Sequence, residues 1–221
     1  MKIGNMTYKT REDLPELIPV FPLSDMFLLP GSRSSFSVSE RRYVAMFDVV
    51  LSGNRLIGLV QPALNGAFSE DNQGLSQIGC IGRITSFVET DDGNYIVTLA
   101  GICRFRLLEE AYRLNSWRWF YIATFVSDLV VDENEGVDRI ALLEVFRKYL
   151  LINNLEADWD SIEKASNKVL VNSLAMMSFF SEAEKQALLE APDFRARTQT
   201  LIAIMQIELS PDFYHCRNRL Q

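Results

Sequence analysis

Gln77 to Leu107 reads QIGCIGRITSFVETDDGNYIVTLAGICRFRL. Two apolar runs, Ile78 to Glu89 and Tyr95 to Ala100, flank Thr90-Asp91-Asp92-Gly93-Asn94. An Asp-Gly pair between such runs predicts a β-hairpin, because Gly tolerates the positive φ that tight turns need. Gly101 predicts a break, and Ile102 to Leu108 then alternates as a further strand.

Working outward, Leu17 to Gly31 reads LIPVFPLSDMFLLPG. Pro19 and Pro22 restrict Leu17 to Leu23 to an edge or interrupted strand, since proline cannot donate to a ladder. Pro30-Gly31 reads as a turn, and Ser34 to Ser39 as a short strand. Glu40 to Leu51 carries Tyr43, Met46, Phe47 and Val50 at helical spacing, with Ser39 as its expected cap. Gly53-Asn54 ends that helix, and Arg55 to Gln61 returns as a strand. Gly66 to Leu75 is polar and predicts an exposed loop. Trp117 to Leu129, rich in aromatic and β-branched residues, closes the series. Six or seven strands with one inserted helix predict a small barrel or paired sheets.

Beyond this point the character changes. Of eleven glycines, ten lie at or before Gly101. Val131 to Gly136 (VDENEG) reads as a polar boundary. Val137 to Leu151 predicts a helix with Ile140, Leu143, Phe146, Tyr149 and Leu150 on one face. Asp160 and Glu163 resemble a capping box for a helix reaching about Met177, with Ile162, Ala165, Val169, Ser173 and Met176 on one face and Leu170, Leu174 and Met177 flanking it. Ser181 and Glu184 give a cleaner box for Glu182 to Glu190. Asp193 caps a last helix with Leu201, Ile204, Met205 and Leu209 inward. The expectation is an α+β protein. It has a polar arm (1–16), a β-rich barrel-like subdomain (17–130) of about six strands plus one helix, and a bundle of about four helices (131–221).

The composition bounds function. The chain has 221 residues, 48% of them hydrophobic, and a formal charge of −7. That balance repels a phosphate backbone, so no nucleic-acid partner is expected. Met1 to Glu16 has no apolar core of a signal peptide, and no run reaches the roughly 18 apolar residues of a membrane helix. Three cysteines, Cys80, Cys103 and Cys216, suit a reducing, cytoplasmic setting.

Catalytic patterns are sparse. His215, the single histidine, sits in the tail FYHCRNRLQ beside Cys216, where a metal would need two further ligands. Cys80 and Cys103 lie in strands and read as small core residues. Asp91/Asp92, Glu109/Glu110 and Asp158/Asp160 sit in turns or at element ends, where carboxylates stay solvated. No Gly-Lys pair exists, so there is no Walker-type phosphate loop. No cofactor or metal is expected. The apolar groups that stand out are aromatic. Trp117, Trp119 and Tyr121 share one strand face, opposite Phe120, and Met176, Met177, Phe179 and Phe180 end a helix. Both read first as core and second as candidate peptide-binding surfaces.

The order of these motifs resembles the N-terminal, substrate-binding domain family of Lon proteases. The motif residues are Phe21-Pro22-Leu23, Leu29-Pro30-Gly31, Glu40-Arg41-Arg42-Tyr43, Gly79-Cys80-Ile81-Gly82-Arg83-Ile84, Asp92-Gly93-Asn94-Tyr95 and Gly101-Ile102-Cys103-Arg104-Phe105. The resemblance spans Leu17 to Leu108 most strongly. In the helices, Asn172 to Met176 and Glu184 to Glu190 look like stand-alone bacterial members. It implies a β-rich subdomain followed by helices, and a role in recognising protein or peptide segments. It does not imply proteolysis, since the ATPase and Ser-Lys peptidase of Lon lie in later domains for which this sequence has no room. The expectation is therefore a non-catalytic recognition module, with homo-oligomerisation left open. An enzyme of unrecognised chemistry and an RNA-binding barrel are the rivals.

Overall fold

The computed structural model describes residues 1–24, 26–63, 74–114, 117–130, 137–177 and 180–209. Contacts divide the chain into two units, Met1–Val131 with Ser178–Leu189, and Asp132–Met177 with Glu190–Gln221. The expected boundary at Val131 to Gly136 lies outside the described residues, as does most of the Gly66 to Leu75 loop.

The first unit holds a two-stranded hairpin, β1 (Lys2–Ile3) and β2 (Met6–Thr7). It also holds a six-stranded sheet made of β3 (Leu17–Pro22), β4 (Arg33–Val38), β5 (Leu56–Val60), β6 (Ile78–Glu89), β7 (Tyr95–Leu114) and β8 (Trp117–Thr124). The sheet order is β4-β7-β6-β5-β3-β8, and β7 also pairs with β8. The pairings therefore run from β7 through β6, β5, β3 and β8 back to β7. The sheet is mixed, because β3 and β5 are parallel. Parallel neighbours need a crossover, here supplied by β4 and helix α1 (Arg41–Ser52).

The hairpin predicted around Asp92-Gly93 joins β6 to β7, with Gly93 at φ 75. Gly101 does not break the chain there. β7 continues for 20 residues, and Gly101 serves a long-range contact instead. The Leu29–Ser32 turn docks on it, with Gly31 N–H donating to Gly101 O and Gly101 N–H donating to Ser32 O, both at 2.9 Å. A Cβ on Gly101 would lie 2.2 Å from the Leu29 carbonyl oxygen. Of the two expectations for β3, edge or interrupted strand, the second fits. Leu17–Val20 pair with β8 and Val20–Pro22 with β5. Each half thus has one ladder only, which is how an interior strand carries two prolines.

Helix α1 buries Tyr43, Met46, Phe47 and Val50, the stripe read from the sequence. Its N-cap is Glu40 rather than Ser39 and makes no side-chain cap bond. Tyr43 and Phe47 surround Phe21 of β3 edge-on, with centroids at 4.7 and 5.6 Å, and Phe36 of β4 stacks on Phe21 at 5.5 Å. A second cluster fills the interior with Ile18, Val20, Ile81, Phe105, Phe120 and Ile122. The polar-looking N-terminal arm belongs to this unit. Ile3, Tyr8 and Leu14 join the same cluster.

Two arginines of the strand motifs are buried. Arg104, 2% exposed, forms a bidentate pair with Asp128 through Nε–Oδ2 and Nη2–Oδ1, both 2.9 Å. Its Nη1 donates to the Leu189 carbonyl at 3.1 Å. Leu189 lies in α5 (Glu182–Glu190), whose Gln186 also donates to Ile78 O. The Ser181–Glu184 capping box forms, with Ser181 N–H to Glu184 Oε2 at 2.8 Å and Glu184 N–H to Ser181 Oγ at 3.3 Å.

The second unit contains α2 (Arg139–Ile152), α3 (Trp159–Lys164), α4 (Asn167–Ala175) and α6 (Phe194–Glu208). The single helix expected up to Met177 is two. The chain is extended at Ala165 (ψ 140) and Ser166 (ψ 157), and Ser166 caps a fresh helix by accepting from Val169 N–H. α3 is capped by Asp158 rather than Asp160. This restart shifts the phase, so α4 buries Leu170, Val171, Leu174 and Ala175 and leaves Val169 57% exposed. α2 likewise turns Ile140 outward, 74% exposed, and buries Leu142, Val145, Phe146, Tyr149 and Leu150. α6 follows its sequence reading, with Asp193 capping through Ala196 N–H at 2.7 Å.

Substitutions at two glycines separate packing from turn conformation. Gly101→Ala must push against rigid backbone and is expected to lose about 3 kcal/mol of stability, the upper part of the overpacking range. Gly93→Ala meets no atom within 4 Å and is expected to lose only about 1–2 kcal/mol for a non-glycine residue at positive φ. Asp128→Ala strands a buried guanidinium and is expected to cost about 3–5 kcal/mol. Urea unfolding of the three variants checks the order.

Candidate functional site

The aromatic strand β8 is graded rather than two-faced. Trp117 is 1% exposed, Phe120 6% and Ile122 4%, whereas Trp119 is partly buried and Tyr121 is 48% exposed. Pairing with β7 explains the gradient. The register slips between Leu107 and Glu110 and again between Glu110 and Tyr112, and bulges of this kind re-aim side chains. The slip sets Tyr112 opposite Trp119. Their rings stack at 5.6 Å and 22°, and Tyr112 is 47% exposed. Tyr112, Trp119 and Tyr121 thus form an aromatic ledge on the first unit. Trp117 lies in the interior, so a ligand would meet Trp119 and Tyr121 and not Trp117.

Tyr112 is absent from the sequence-derived candidates. Its only sequence signal is an aromatic residue in a polar run, Glu109 to Arg113. The bulged ladder is fixed beside the ledge by Glu110, whose carboxylate accepts from Arg113 Nε at 2.7 Å and from Arg118 Nη2 at 2.6 Å. Burial alone would raise the Glu110 pKa, but the bonds from Arg118 and then Arg113 outweigh it and hold the group below its ordinary range.

The other candidates are dispersed. In the second unit Met176 and Met177 are partly exposed at the end of α4. In the first, Phe180 is buried at 3%. Phe179 lies outside the described residues, as do His215 and Cys216. A groove of about 470 Å³ opens in the second unit between Arg147, Leu150, Leu151, Leu155 and Trp159. There the Arg147 guanidinium lies 4.5 Å over the Trp159 ring. The methionines do not line it.

The titratable groups are arranged as structural parts. Cys80 and Cys103 are buried, and burial pushes the Cys103 thiol up to about 12, far from a reactive thiolate. Asp92 accepts from Thr90 and Asn94 within the hairpin turn. Asp158 caps α3. Among the described residues, no group of three or more His, Cys, Asp or Glu side chains is placed to hold a metal ion. No helix of the described residues is long and apolar enough to cross a membrane.

Comparison with known proteins gives a consistent family. The description "ATP-dependent protease La (LON) substrate-binding domain" matches residues 17–206. The chain is 35% identical over 98 residues to "Lon protease" of Desulfosudis oleivorans, covering 44% of this chain and 12% of that protein. It is 24% identical over 203 residues to "Lon protease 2" of Myxococcus xanthus, covering 88% of this chain and 24% of that protein. The chain thus spans a quarter or less of the length of these curated relatives. In fold it is similar to the crystal structure of a Lon N-terminal domain protein from Xanthomonas campestris. The TM-score is 0.61 at 23% identity, over 85% of this chain and 97% of that one.

The ledge and the interior of β8 differ in energetic role. Trp117→Ala is expected to lose about 3–5 kcal/mol, the range for a large core aromatic. Tyr121→Ser is expected to stay within about 0.5 kcal/mol of the parent, as for surface positions. Chemical denaturation followed by circular dichroism distinguishes the two.

Proposed function

The chain belongs to the ATP-dependent protease La (LON) substrate-binding domain family, and from that premise we propose that it is a non-catalytic recognition module for exposed apolar segments of other proteins. The Tyr112–Trp119–Tyr121 ledge is the surface that carries this reading. Singly exposed apolar residues are ordinary on protein surfaces, whereas adjoining aromatics mark contact sites. Tyr and Trp suit the task because they offer large, stiff contact area with a polar rim.

Magnitudes limit what such a ledge can do. The open parts of three aromatic rings amount to roughly 250 Å², which gives about 6 kcal/mol at 25 cal/mol per Å². Association costs at least about 4 kcal/mol of lost freedom. The net is at most about 2 kcal/mol, weak binding with a dissociation constant of about 10⁻² M or weaker for one short segment. Weak, sequence-tolerant contacts suit sampling of unfolded chains, where several apolar segments on one molecule raise the effective concentration. Degradation is what the names of the longer relatives state of those proteins. For this chain the proposal is recognition alone, in a soluble, cytoplasmic setting.

The test is fluorescence anisotropy with a labelled unfolded polypeptide carrying several apolar segments. The parent protein is expected to bind in the millimolar range, because several segments on one polypeptide lower the apparent constant below that of a single segment. The triple variant Tyr112→Ser/Trp119→Ser/Tyr121→Ser is expected to bind at least about tenfold more weakly with its fold intact. Equal binding by the two would remove the ledge from the proposal. No binding by the parent at millimolar concentration would remove the recognition role.

A further inference from the structure

The two buried arginines of the first unit differ in one respect. Arg104 is neutralised by Asp128. Arg83, only 9% exposed, has no carboxylate partner among the described residues. Its acceptors are all neutral: Tyr8 Oη at 3.2 Å and Asn54 O at 2.9 Å from Nη1, and Asn5 Oδ1 at 3.2 Å from Nη2. A guanidinium has more N–H donors than these three bonds use, and among the described residues its bonds are made by Nη1 and Nη2. Tyr8, 1% exposed, accepts from Arg83, so its own O–H is left to donate, and it finds no acceptor among the described residues. Donors with spare capacity and a cation bonded to neutral acceptors alone therefore meet at one place.

That place is open to a ligand. A pocket of about 570 Å³ is lined by Arg83, Tyr8, Asn5 and Asn54, with a second cation, Arg55, and the carboxylates Glu12 and Asp13. Asp13 is occupied by the backbone N–H groups of Lys9 and Thr10, at 2.8 and 3.0 Å. Glu12 is drawn to Thr10, whose hydrogen bond holds its pKa down.

We propose that this pocket binds a carboxylate group, held by the Arg83 guanidinium and the Tyr8 hydroxyl, with Arg55 adding attraction. The charge balance chooses the class. Two arginines face two carboxylates, so the pocket is close to neutral before a ligand enters. A planar monoanion completes the Arg83 pairing, as Asp128 does for Arg104, with forked hydrogen-bond geometry. A phosphate dianion brings a second charge against Glu12 and Asp13. The source of the carboxylate is either the C-terminus of a peptide or a small free acid. The site is separate from the aromatic ledge and does not depend on it.

The experiment is a titration of the full chain followed by the Arg83 Nε–H signal in ¹H–¹⁵N NMR spectra. The probes are a short peptide with a free C-terminus, the same peptide amidated, acetate and inorganic phosphate. The free acid is expected to shift the Arg83 signal saturably, and the amide is not. Acetate binding as tightly as the peptide identifies a small-acid source, and tighter peptide binding identifies a C-terminus. Arg83 variants risk unfolding, so the charge contribution is read at the rim. Arg55→Gln is expected to weaken the free acid about threefold, and Glu12→Gln to strengthen it by a similar factor. Equal response to acid and amide, tighter binding of phosphate, no response to any probe at tens of millimolar, or rim variants without effect would each overturn the proposal.

Discussion

The first unit depends on one buried ion pair. Arg104 and Asp128 are 2% and 6% exposed, and removing two charges from water costs several kcal/mol for each ion. The pair is viable because its geometry is complete. Asp128 Oδ2 accepts from both the Arg104 backbone N–H and Nε, Oδ1 accepts from Nη2, and Nη1 is used by the Leu189 carbonyl. Phe125 lies 5.1 Å beneath the guanidinium. Such a pair adds little net stability over an apolar replacement, but its bonds join three separate parts of the chain. These are the middle of β7, the turn after β8 and the end of α5. A helix distant in sequence is thereby assigned to the sheet unit by electrostatics as well as by packing.

This constraint shows where sequence reading succeeds and where it stops. Local signals were legible. The Asp92-Gly93 hairpin, the Tyr43–Met46–Phe47–Val50 stripe, the Ser181–Glu184 box and the Asp193 cap each depend on residues within a few positions of one another. Non-local uses of the same residue types were not. Gly101 has the appearance of a break, and its actual task is to admit the Leu29 carbonyl from a turn about seventy positions earlier. The prolines of β3 pointed to an edge or an interrupted strand, and the division of its two ladders at Val20 shows that it is the interrupted kind. In the second unit a single unbroken periodicity hid a restart at Ser166, so that within α4 Leu170 and Leu174 are buried and Val169 is exposed.

The candidate site follows the same rule. Trp119 and Tyr121 could be placed together by strand alternation, but alternation assumes an unbroken ladder. Two register slips in β7 bring Tyr112 onto Trp119, and no local pattern announces them. Arg83 was visible as part of a motif, yet a buried strand arginine looks the same in sequence as an exposed one. Only its hydrogen-bond partners, three neutral acceptors and no carboxylate among the described residues, distinguish it from Arg104.

The two proposed surfaces of the first unit would divide recognition in physically different ways. An aromatic ledge gains by area, and area is nearly indifferent to sequence or chain direction. A buried guanidinium with unmatched donors gains by charge and geometry, and discriminates strongly against a ligand that leaves it unpaired. A module with only the first would hold any apolar segment about equally. With the second, an otherwise weak and permissive contact acquires a chemical end-point, because a neutral group at Arg83 leaves the donors of Arg83 and Tyr8 as poorly satisfied as before binding. Specificity in such a protein would then reside in a single buried charge rather than in the larger apolar surface.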